Sequence, residues 1–446
     1  MKVLIVARYF APENTIGAIR VTKFAKYLAR LGHQVTVYAM TPLIKLEDDI
    51  LKADAEGLRI FHLDNGPLYR AIHGFFSARD KTRGTGNVGT AASGTATAPK
   101  KSTKLLKMVL NTMYKIMWIW SDLDFAAHYK KCTRTDRECY DVVFGSWNTD
   151  AALRIARDMK RRGRARAFAA DFRDACLSVW PELTKNKDTA RLLEGVYADA
   201  DLVTLAFPEL IKRNRVPAHV PHAVLYNGFD PEDLRALPRP APLHDGRLHL
   251  AYLGQIYEGK QDFRPLFSAC RALMDAGALP EDGICLHYAG QSFERLFAQA
   301  EEFGLCSMLD HRGFLPRQEA LSMELGADLL LFAAWNSPEQ PAIFPAKFLE
   351  YMMMERPVLA LISGPLPDSL PRQVMEKTRL GFVYEGYDPN SGAALQDYLL
   401  SCWQCKQSGQ PLPFDPDREA ISAYAYPNLA KQLSRLLADR VERIAP

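Results

Sequence analysis

The segment FPAKFLEY at residues 344–351 places Lys347 and Glu350 in a short, otherwise apolar helix. Pro345 suits the first turn of this helix, because its missing N–H would have no intrahelical partner there. Free N–H groups and the helix dipole at that end favour an anion, and Lys347 adds a charge suited to phosphate. The Glu350 carboxylate, one turn later, can accept both hydroxyls of a ribose if that face points into a crevice. The competing interpretation is a glutamate on an exposed helix face.

A second polar group, ADFRDA at 170–175, directly follows the apolar run ARAFA. Its Asp171, Arg173 and Asp174 are therefore expected at the carboxyl end of a strand, where open α/β sheets bind ligands. A carboxylate and a guanidinium at this spacing can bind acceptor hydroxyls or a lipid diphosphate. They can also pair with each other or cap the following helix.

The turn after the first strand, RYFAPENTIGAIR, lacks the G-x-G-x-x-G pattern of dinucleotide-binding domains. The sequence therefore argues against NAD binding by the first domain. Gly17 permits close approach of a ligand to the backbone, and Arg20 follows it on the same loop-to-helix segment. Both residues are candidates for an acceptor- or diphosphate-binding loop.

Short apolar runs alternate with helical patterns along the chain, which predicts parallel sheets covered by helices on both faces. The first series is KVLIVARY, QVTVYAM, LRIFHL, YDVVFGSW, ARAFAADF and DLVTLAF, and the second is LHLAYL, ICLHYA, ADLLLFAAW, PVLALIS and LGFVYEG. The second series starts after Asn227-Gly228. Two successive Rossmann-like α/β domains are therefore expected, at 1–228 and 229–416, with a last helix in 417–446. The proline-rich run PEDLRALPRPAPLHDGR is the expected linker.

Five motifs occur in a fixed order: LARLGHQVTV, ADFRDA, VLYNGFDPEDL, YLGQIYEGKQD and IFPAKFLEYMMMERPVLAL. Together they resemble the motifs of the retaining, nucleotide-sugar-dependent glycosyltransferases of family 4, in the branch with a P-x-K-x-x-E-Y signature. The likeness covers nearly the whole chain apart from roughly 75–130. It implies an α/β GT-B fold, with two Rossmann-like domains facing across a cleft and a C-terminal helix crossing back to the first.

The resemblance also implies roles for individual residues. In the loop after the strand LHLAYL, Gly254 and Lys260 would bind the donor diphosphate, and Glu350 would bind the ribose. Two positions depart from the family pattern: its glutamate eight residues before Glu350 is Ala342 here, and its phosphate-loop arginine is Gln255. The motifs therefore bear on the nucleotide and say little about the sugar.

The implied activity is retaining transfer of a hexosyl or N-acetylhexosaminyl group from a UDP- or GDP-sugar to an acceptor. A lipid-linked saccharide of bacterial surface-polysaccharide biosynthesis, as in lipopolysaccharide or capsule, is the expected acceptor. We assign Asp171, Arg173 and Asp174 to catalysis, with the leaving diphosphate taking the acceptor's proton. No metal and no cofactor are expected. Two alternatives remain open: a nucleotide-sugar 2-epimerase of the same fold, and a degenerate, non-catalytic partner protein.

Residues 81–104 are mostly Gly, Ala, Ser, Thr and Lys, a composition typical of disordered segments. The run after them, 105–127, contains Met, Leu, Ile and Trp, and lysines at 100, 101 and 104 precede it. This pattern predicts a helix on an anionic membrane surface, with contact through 100–120, or else a helix packed on its own domain.

The net charge, the cysteines and the N-terminal pattern bear on the class of protein and its location. A net charge of +4 on 446 residues is too small to indicate nucleic-acid binding, and eight scattered cysteines suit a reducing compartment. MKVLIVARYF has the pattern of a first strand rather than a signal peptide. The expected location is cytoplasmic, peripheral on the cytosolic face of the inner membrane.

Overall fold

The structure is a computed structural model that describes residues 1–13, 15–42, 48–64, 66, 67, 69–71, 73, 74, 102–176, 186–235, 237, 240, 245–338 and 346–444. The chain divides into two compact units. One comprises Met1–Asn227 together with Tyr426–Pro446, and the other is Gly228–Ala425. The sequence predicts these divisions at 228/229 and 416/417. The proline-rich run, expected to be the linker, lies within the second unit.

The first unit contains a parallel sheet of seven strands in the order β3-β2-β1-β4-β5-β6-β7. Its strands are β1 (Lys2–Val6), β2 (Gln34–Met40), β3 (Arg59–Leu63), β4 (Tyr140–Trp147), β5 (Ala165–Phe172), β6 (Leu202–Leu205) and β7 (His222–Val224). Its helices are α1 (Ile16–Arg30), α2 (Asp49–Asp54), α3 (Ser102–Thr135), α4 (Asp150–Arg161), α5 (Asn186–Asp199) and α6 (Glu209–Arg213). Strand β1 is buried along almost its whole length, because helices cover both faces of the sheet.

The second unit contains a parallel sheet of six strands in the order β10-β9-β8-β11-β12-β13. Its strands are β8 (Leu248–Leu253), β9 (Ile284–Ala289), β10 (Leu309–His311), β11 (Leu329–Trp335), β12 (Val358–Ser363) and β13 (Gly381–Glu385). Its helices are α7 (Arg264–Asp275), α8 (Phe293–Glu301), α9 (Arg317–Gly326), α10 (Ala346–Met354), α11 (Leu370–Thr378), α12 (Ser391–Ser408) and α13 (Arg418–Ser422), with short 3-10 turns at Pro231–Leu234 and Cys306–Met308.

The last helix, α14 (Tyr426–Ile444), packs in the first unit. Its apolar side chains join the core formed by α1 and by strands β1 and β2. Tyr426 stacks edge-on against Phe24 of α1, with ring centroids 5.5 Å apart. The single helix expected in 417–446 is therefore two helices. Helix α13 belongs to the second unit and α14 to the first.

Helix α3 is longer than the helix expected at 105–127, and one face of it is buried. Ser121, Phe125 and Tyr129 are buried at four-residue spacing, and Phe125 and Tyr129 belong to the core of the first unit. Large apolar side chains are exposed on another part of the helix: Ile116, Ile119, Trp120 and Leu123. The segment 81–104 is expected to be disordered. Residues 81–101 lie outside the described part of the chain, and residues 102–104 are helical. Within the described residues, no helix combines the length and apolarity needed to cross a bilayer.

Candidate functional site

Each sheet changes the direction of its strand order once, and ligands of open α/β sheets bind at the carboxyl ends of the strands beside that point. In the first unit the change falls between β1 and β4, and in the second it falls between β8 and β11. The loops after these four strands are therefore the candidate ligand-binding positions of the two units.

In the first unit, Arg20 of α1 and Asp171 of β5 form a buried ion pair. Arg20 Nε and Nη2 donate to the two Asp171 oxygens at 3.1 and 2.7 Å, and the side chains are only 1% and 0% exposed. The remaining Arg20 donors reach the carbonyl oxygens of Leu225 and Tyr226, both at 2.9 Å, and Asn227 Oδ1 at 3.1 Å. The guanidinium thus ties the start of α1 to β5 and to the segment after β7.

The Asp171 carboxylate also receives hydrogen bonds from both neighbouring strands. Ser146 of β4 and Thr204 of β6 lie in register with Asp171, and their hydroxyls donate to it at 2.9 and 2.8 Å. Four hydrogen bonds from three side chains therefore occupy the carboxylate. Its surroundings favour holding the strand ends and α1 in place, and substrate contact by Asp171 stays a prediction.

Arg173 directly follows the last residue of β5 and lies against the first turn of α1. A Cβ built on Gly17 would be 2.9 Å from Arg173 Nη1 and from Tyr9 Cδ2, so the glycine leaves room for the guanidinium. Arg173 is 8% exposed, burial lowers its pKa, and its Nε has no hydrogen-bond partner among the described residues. A guanidinium beside a helix N-terminus makes this position suited to an anion.

Asp174 is exposed, and only its backbone has a described hydrogen bond, accepted from Asn214 Nδ2 at 3.2 Å. Of the five residues predicted in this unit, Gly17 contacts Arg173 and Arg20 pairs with Asp171. The charges of Asp174, Asp171 and Arg20 all act on the Arg173 guanidinium.

In the second unit, Lys347 of α10 bridges two carboxylates. Its Nζ donates to Glu324 of α9 at 2.6 Å, and it also contacts Glu350 one helical turn along α10. Glu324 is 0% exposed, whereas the side chains of Lys347 and Glu350 are 28% and 23% exposed. The lysine and Glu350 are thus open to solvent on one side, and Glu324 supports the lysine from inside the unit.

The pKa values of Glu324, Glu350 and Lys347 are shifted in different directions. Burial raises the pKa of Glu324 to about 8, despite the nearby lysine. Burial alone would raise the pKa of Glu350 as well, but the charge and hydrogen bond of Lys347 outweigh it and lower that pKa. Burial would lower the pKa of Lys347, and the two carboxylates raise it instead. At neutral pH the cluster therefore contains a cation, the Glu350 carboxylate and a protonated Glu324.

Gly254 and Lys260 lie in the loop after β8, at the same edge of the second sheet where β11 ends and α10 follows. Gly254 has a φ of 147°, and its carbonyl oxygen accepts a hydrogen bond from Tyr288 at 2.9 Å. Lys260 Nζ lies 4.6 Å from the ring centroid of Trp335, the last residue of β11. A lysine, an aromatic ring and an exposed loop glycine therefore flank the change in strand order.

Glu324 is the member of this cluster that sequence reasoning missed. In RQEALSMELGADLLLF it is one of two glutamates on a helix, and the other, Glu319, is exposed. Its placement between apolar neighbours just before a buried strand is the available signal. Pro345 and Ala342 lie outside the described residues.

Neither a protein-family model nor a curated protein sequence matches the chain. Solved structures do. Sucrose-phosphate synthase from Thermosynechococcus elongatus is 13% identical with a TM-score of 0.55, covering 99% of this chain and 100% of that chain. The lipopolysaccharide outer core galactosyltransferase WaaB in its apo form is 13% identical with a TM-score of 0.53, again covering 99% and 100%. A trehalose-6-phosphate structure from E. coli bound with UDP-2-fluoro glucose is 10% identical with a TM-score of 0.58, covering 98% and 99%.

These likenesses extend over both units and agree with the two parallel sheets described above. The chain has an α/β, two-domain GT-B fold, as the sequence predicts. At identities of 10–13%, the likenesses bear on the fold and leave the activity to be argued from the residues.

Proposed function

We propose that this protein is a retaining glycosyltransferase that uses a UDP- or GDP-sugar as its donor. The observation that carries this proposal is the Lys347–Glu350 pair at the start of α10, with Glu324 behind it. The pair combines a cation for a diphosphate and a carboxylate for ribose hydroxyls, one helical turn apart. One of the similar structures holds UDP-2-fluoro glucose, which supports this choice of donor class.

Donor binding would replace one partner of Lys347. Because burial keeps a proton on Glu324 near neutral pH, that side chain adds no negative charge to repel a diphosphate. Lys347 can then direct its charge to the phosphates, together with the first N–H groups of α10. Glu350 remains ionised and accepts the ribose hydroxyls. Lys260 and Gly254 would contact the same diphosphate from the loop after β8.

Transfer itself would depend on positioning and on stabilisation of the leaving diphosphate. The pair Gly17 and Arg173 offers a second anion-binding position at the start of α1, suited to a phosphate-bearing group of substrate. Arg20 and Asp171 hold α1 and β5 so that this position keeps its shape. Asp174, exposed beside it, is the remaining candidate for contact with acceptor hydroxyls.

The test is binding of a panel of UDP- and GDP-sugars to the full chain by calorimetry, with Glu350→Gln as the variant. Loss of a charge-assisted contact costs about 1.5–3 kcal/mol, so we expect donor affinity to fall roughly 10- to 100-fold. Glu355→Gln, an exposed glutamate just after α10, is the matched control and should bind like wild type.

Unchanged donor affinity in Glu350→Gln would refute the assigned role. Conversion of a sugar nucleotide without acceptor would instead indicate a 2-epimerase. Absence of binding to every sugar nucleotide would indicate a non-catalytic partner protein.

We further propose that the acceptor is a lipid-linked saccharide reached from the cytosolic face of a membrane. Ile119, Trp120 and Leu123 follow the exposed Ile116 of α3 by three, four and seven residues. The four exposed apolar side chains therefore share one helix face. Lysines 100, 101 and 104 precede this face in the sequence. Exposed apolar side chains preceded in the sequence by basic residues suit the interface of an anionic bilayer.

Co-sedimentation with vesicles tests this surface. We expect binding to vesicles that contain phosphatidylglycerol, weaker binding to pure phosphatidylcholine, and a clear loss of binding in the double variant Trp120→Ser, Leu123→Ser. Phe314→Ser, which removes a similarly exposed apolar side chain from the second unit, should leave binding unchanged. Equal sedimentation of both variants would count against the proposed face.

A further inference from the structure

Three buried side chains with metal-ligand atoms meet on one face of the second sheet: His249, Cys285 and His287. His249 of β8 lies in register with Cys285 of β9, and His287 is two residues further along β9. Side chains at these positions project from the same face of a sheet. Each residue offers a ligand atom, and these atoms lie within 4.8 Å of one another. None of the three belongs to the donor site proposed above.

Each histidine is held from outside by an aspartate. His249 Nε2 lies 2.8 Å from Asp245 Oδ1, and His287 Nδ1 lies 2.6 Å from Asp310 Oδ2. A histidine that binds a metal usually donates its other ring N–H to a carboxylate, which fixes the tautomer and the ring orientation. Both histidines have this arrangement here.

The two aspartates are in turn fixed by arginines. Arg247 Nε donates to Asp245 at 2.8 Å, and Arg312 Nε donates to Asp310 at 2.7 Å. The carboxylates are about one-third exposed, so they lie between solvent and the buried nitrogens. An ion could therefore reach the cluster past these carboxylates.

His249 Nδ1 and His287 Nε2 face each other at hydrogen-bond distance, and the tautomers of the two rings decide which nitrogen donates. When the outer nitrogens donate to the aspartates, His249 Nδ1 and His287 Nε2 both present lone pairs, and these two atoms are 2.9 Å apart. Two lone pairs at this distance repel, so this pair of tautomers requires a cation between the nitrogens, either a proton or a metal ion. Zinc–nitrogen bonds of about 2.0–2.1 Å in a tetrahedral site place two ligand nitrogens roughly 3.3 Å apart, which requires only a small opening of the pair.

We propose that His249, His287 and Cys285 bind Zn²⁺, with Asp245 and Asp310 orienting the two imidazoles. Two imidazole nitrogens and a thiolate suit zinc, and three protein ligands leave a fourth position for water. The sequence predicts no metal because no helical segment of it offers two histidines one turn apart. The register of two parallel strands, rather than a helix, assembles this cluster.

The test uses the full chain without an affinity tag, stripped with EDTA and then titrated with Zn²⁺ against a chromogenic chelator. We expect one Zn²⁺ per chain, and with Co²⁺ in its place a thiolate charge-transfer band. Cys285→Ser should abolish that band and weaken zinc binding at least tenfold. Asp310→Asn should weaken it about 10- to 100-fold, the usual effect of removing a carboxylate that holds a metal-binding histidine. Cys306→Ser, a half-buried cysteine of the same unit outside the cluster, is the matched control.

Failure of the wild-type chain to retain zinc against the chelator would overturn the proposal and indicate that the two imidazoles share only a proton. Equal loss of zinc in Cys285→Ser and Cys306→Ser would also overturn it. The wild-type titration and the Co²⁺ spectrum do not depend on the variants folding. Sugar-nucleotide binding is measured separately, so either proposal can fail while the other stands.

Discussion

Replacing Glu324 by glutamine should change how the stability of the protein depends on pH. The glutamine keeps the size of the side chain and can still accept a hydrogen bond from Lys347, but it does not titrate. Burial raises the pKa of Glu324 from 4.5 to about 8 in the folded protein. The native state therefore holds one more proton than the unfolded state between these two values, and wild-type stability falls as pH rises through this range.

The size of the effect follows from that window. Each pH unit within it costs about 1.4 kcal/mol, so between pH 5 and pH 8 the wild type loses up to about 4 kcal/mol relative to Glu324→Gln. The other two members of the cluster do not titrate there. The pKa of Glu350 is lowered from 4.5 and that of Lys347 is raised from 10.5, so both stay charged across the range.

The assay is urea unfolding of the full chain at several pH values, followed by tryptophan fluorescence. We expect the free energies of wild type and Glu324→Gln to be closest near pH 5 and to separate towards pH 8, with the variant more stable. Glu319→Gln, on the same helix but exposed, should follow the wild type. Parallel pH profiles for wild type and Glu324→Gln would refute the protonated state assigned to Glu324.

Two further substitutions test the first unit. Asp171→Asn leaves the Arg20 guanidinium buried without its counter-ion, and we expect a loss of about 3–5 kcal/mol in urea unfolding. A loss below 1 kcal/mol would contradict the buried pair. Gly17→Ala introduces a Cβ that meets Arg173, and we expect a loss of about 1–3 kcal/mol from overpacking. Gly392→Ala, where a Cβ meets nothing within 4 Å, is the control, and equal effects at the two glycines would refute the contact.

The sequence predicts the sheets well where strands are long and buried. The eleven runs read as strands correspond to β1–β6, β8, β9 and β11–β13. The missed strands are β7 and β10, each three residues long and each at the edge of its sheet. An edge strand this short needs only a few hydrogen bonds to one neighbour, so it leaves too little apolar pattern to recognise.

Contacts within one element can be anticipated from spacing, and contacts between distant elements cannot. Lys347 and Glu350 are three residues apart on a helix, so their proximity follows from helical geometry. Arg20 and Asp171 are 151 residues apart, and the sequence does not show that they pair. The cluster of His249, Cys285 and His287 requires the register of β8 against β9, which only the folded sheet defines.

The placement of α14 has a consequence for the order of folding during synthesis. Leu429, Leu433 and Leu437 fill part of the core beside β1 and α1, yet they are made about two hundred residues after the rest of their unit. Domains generally fold as units as the chain emerges. Here the first unit must wait, with part of its core uncovered, while the ribosome makes the whole of the second unit. Chaperone contacts on the nascent chain are therefore expected on the surface of α1 that α14 finally covers.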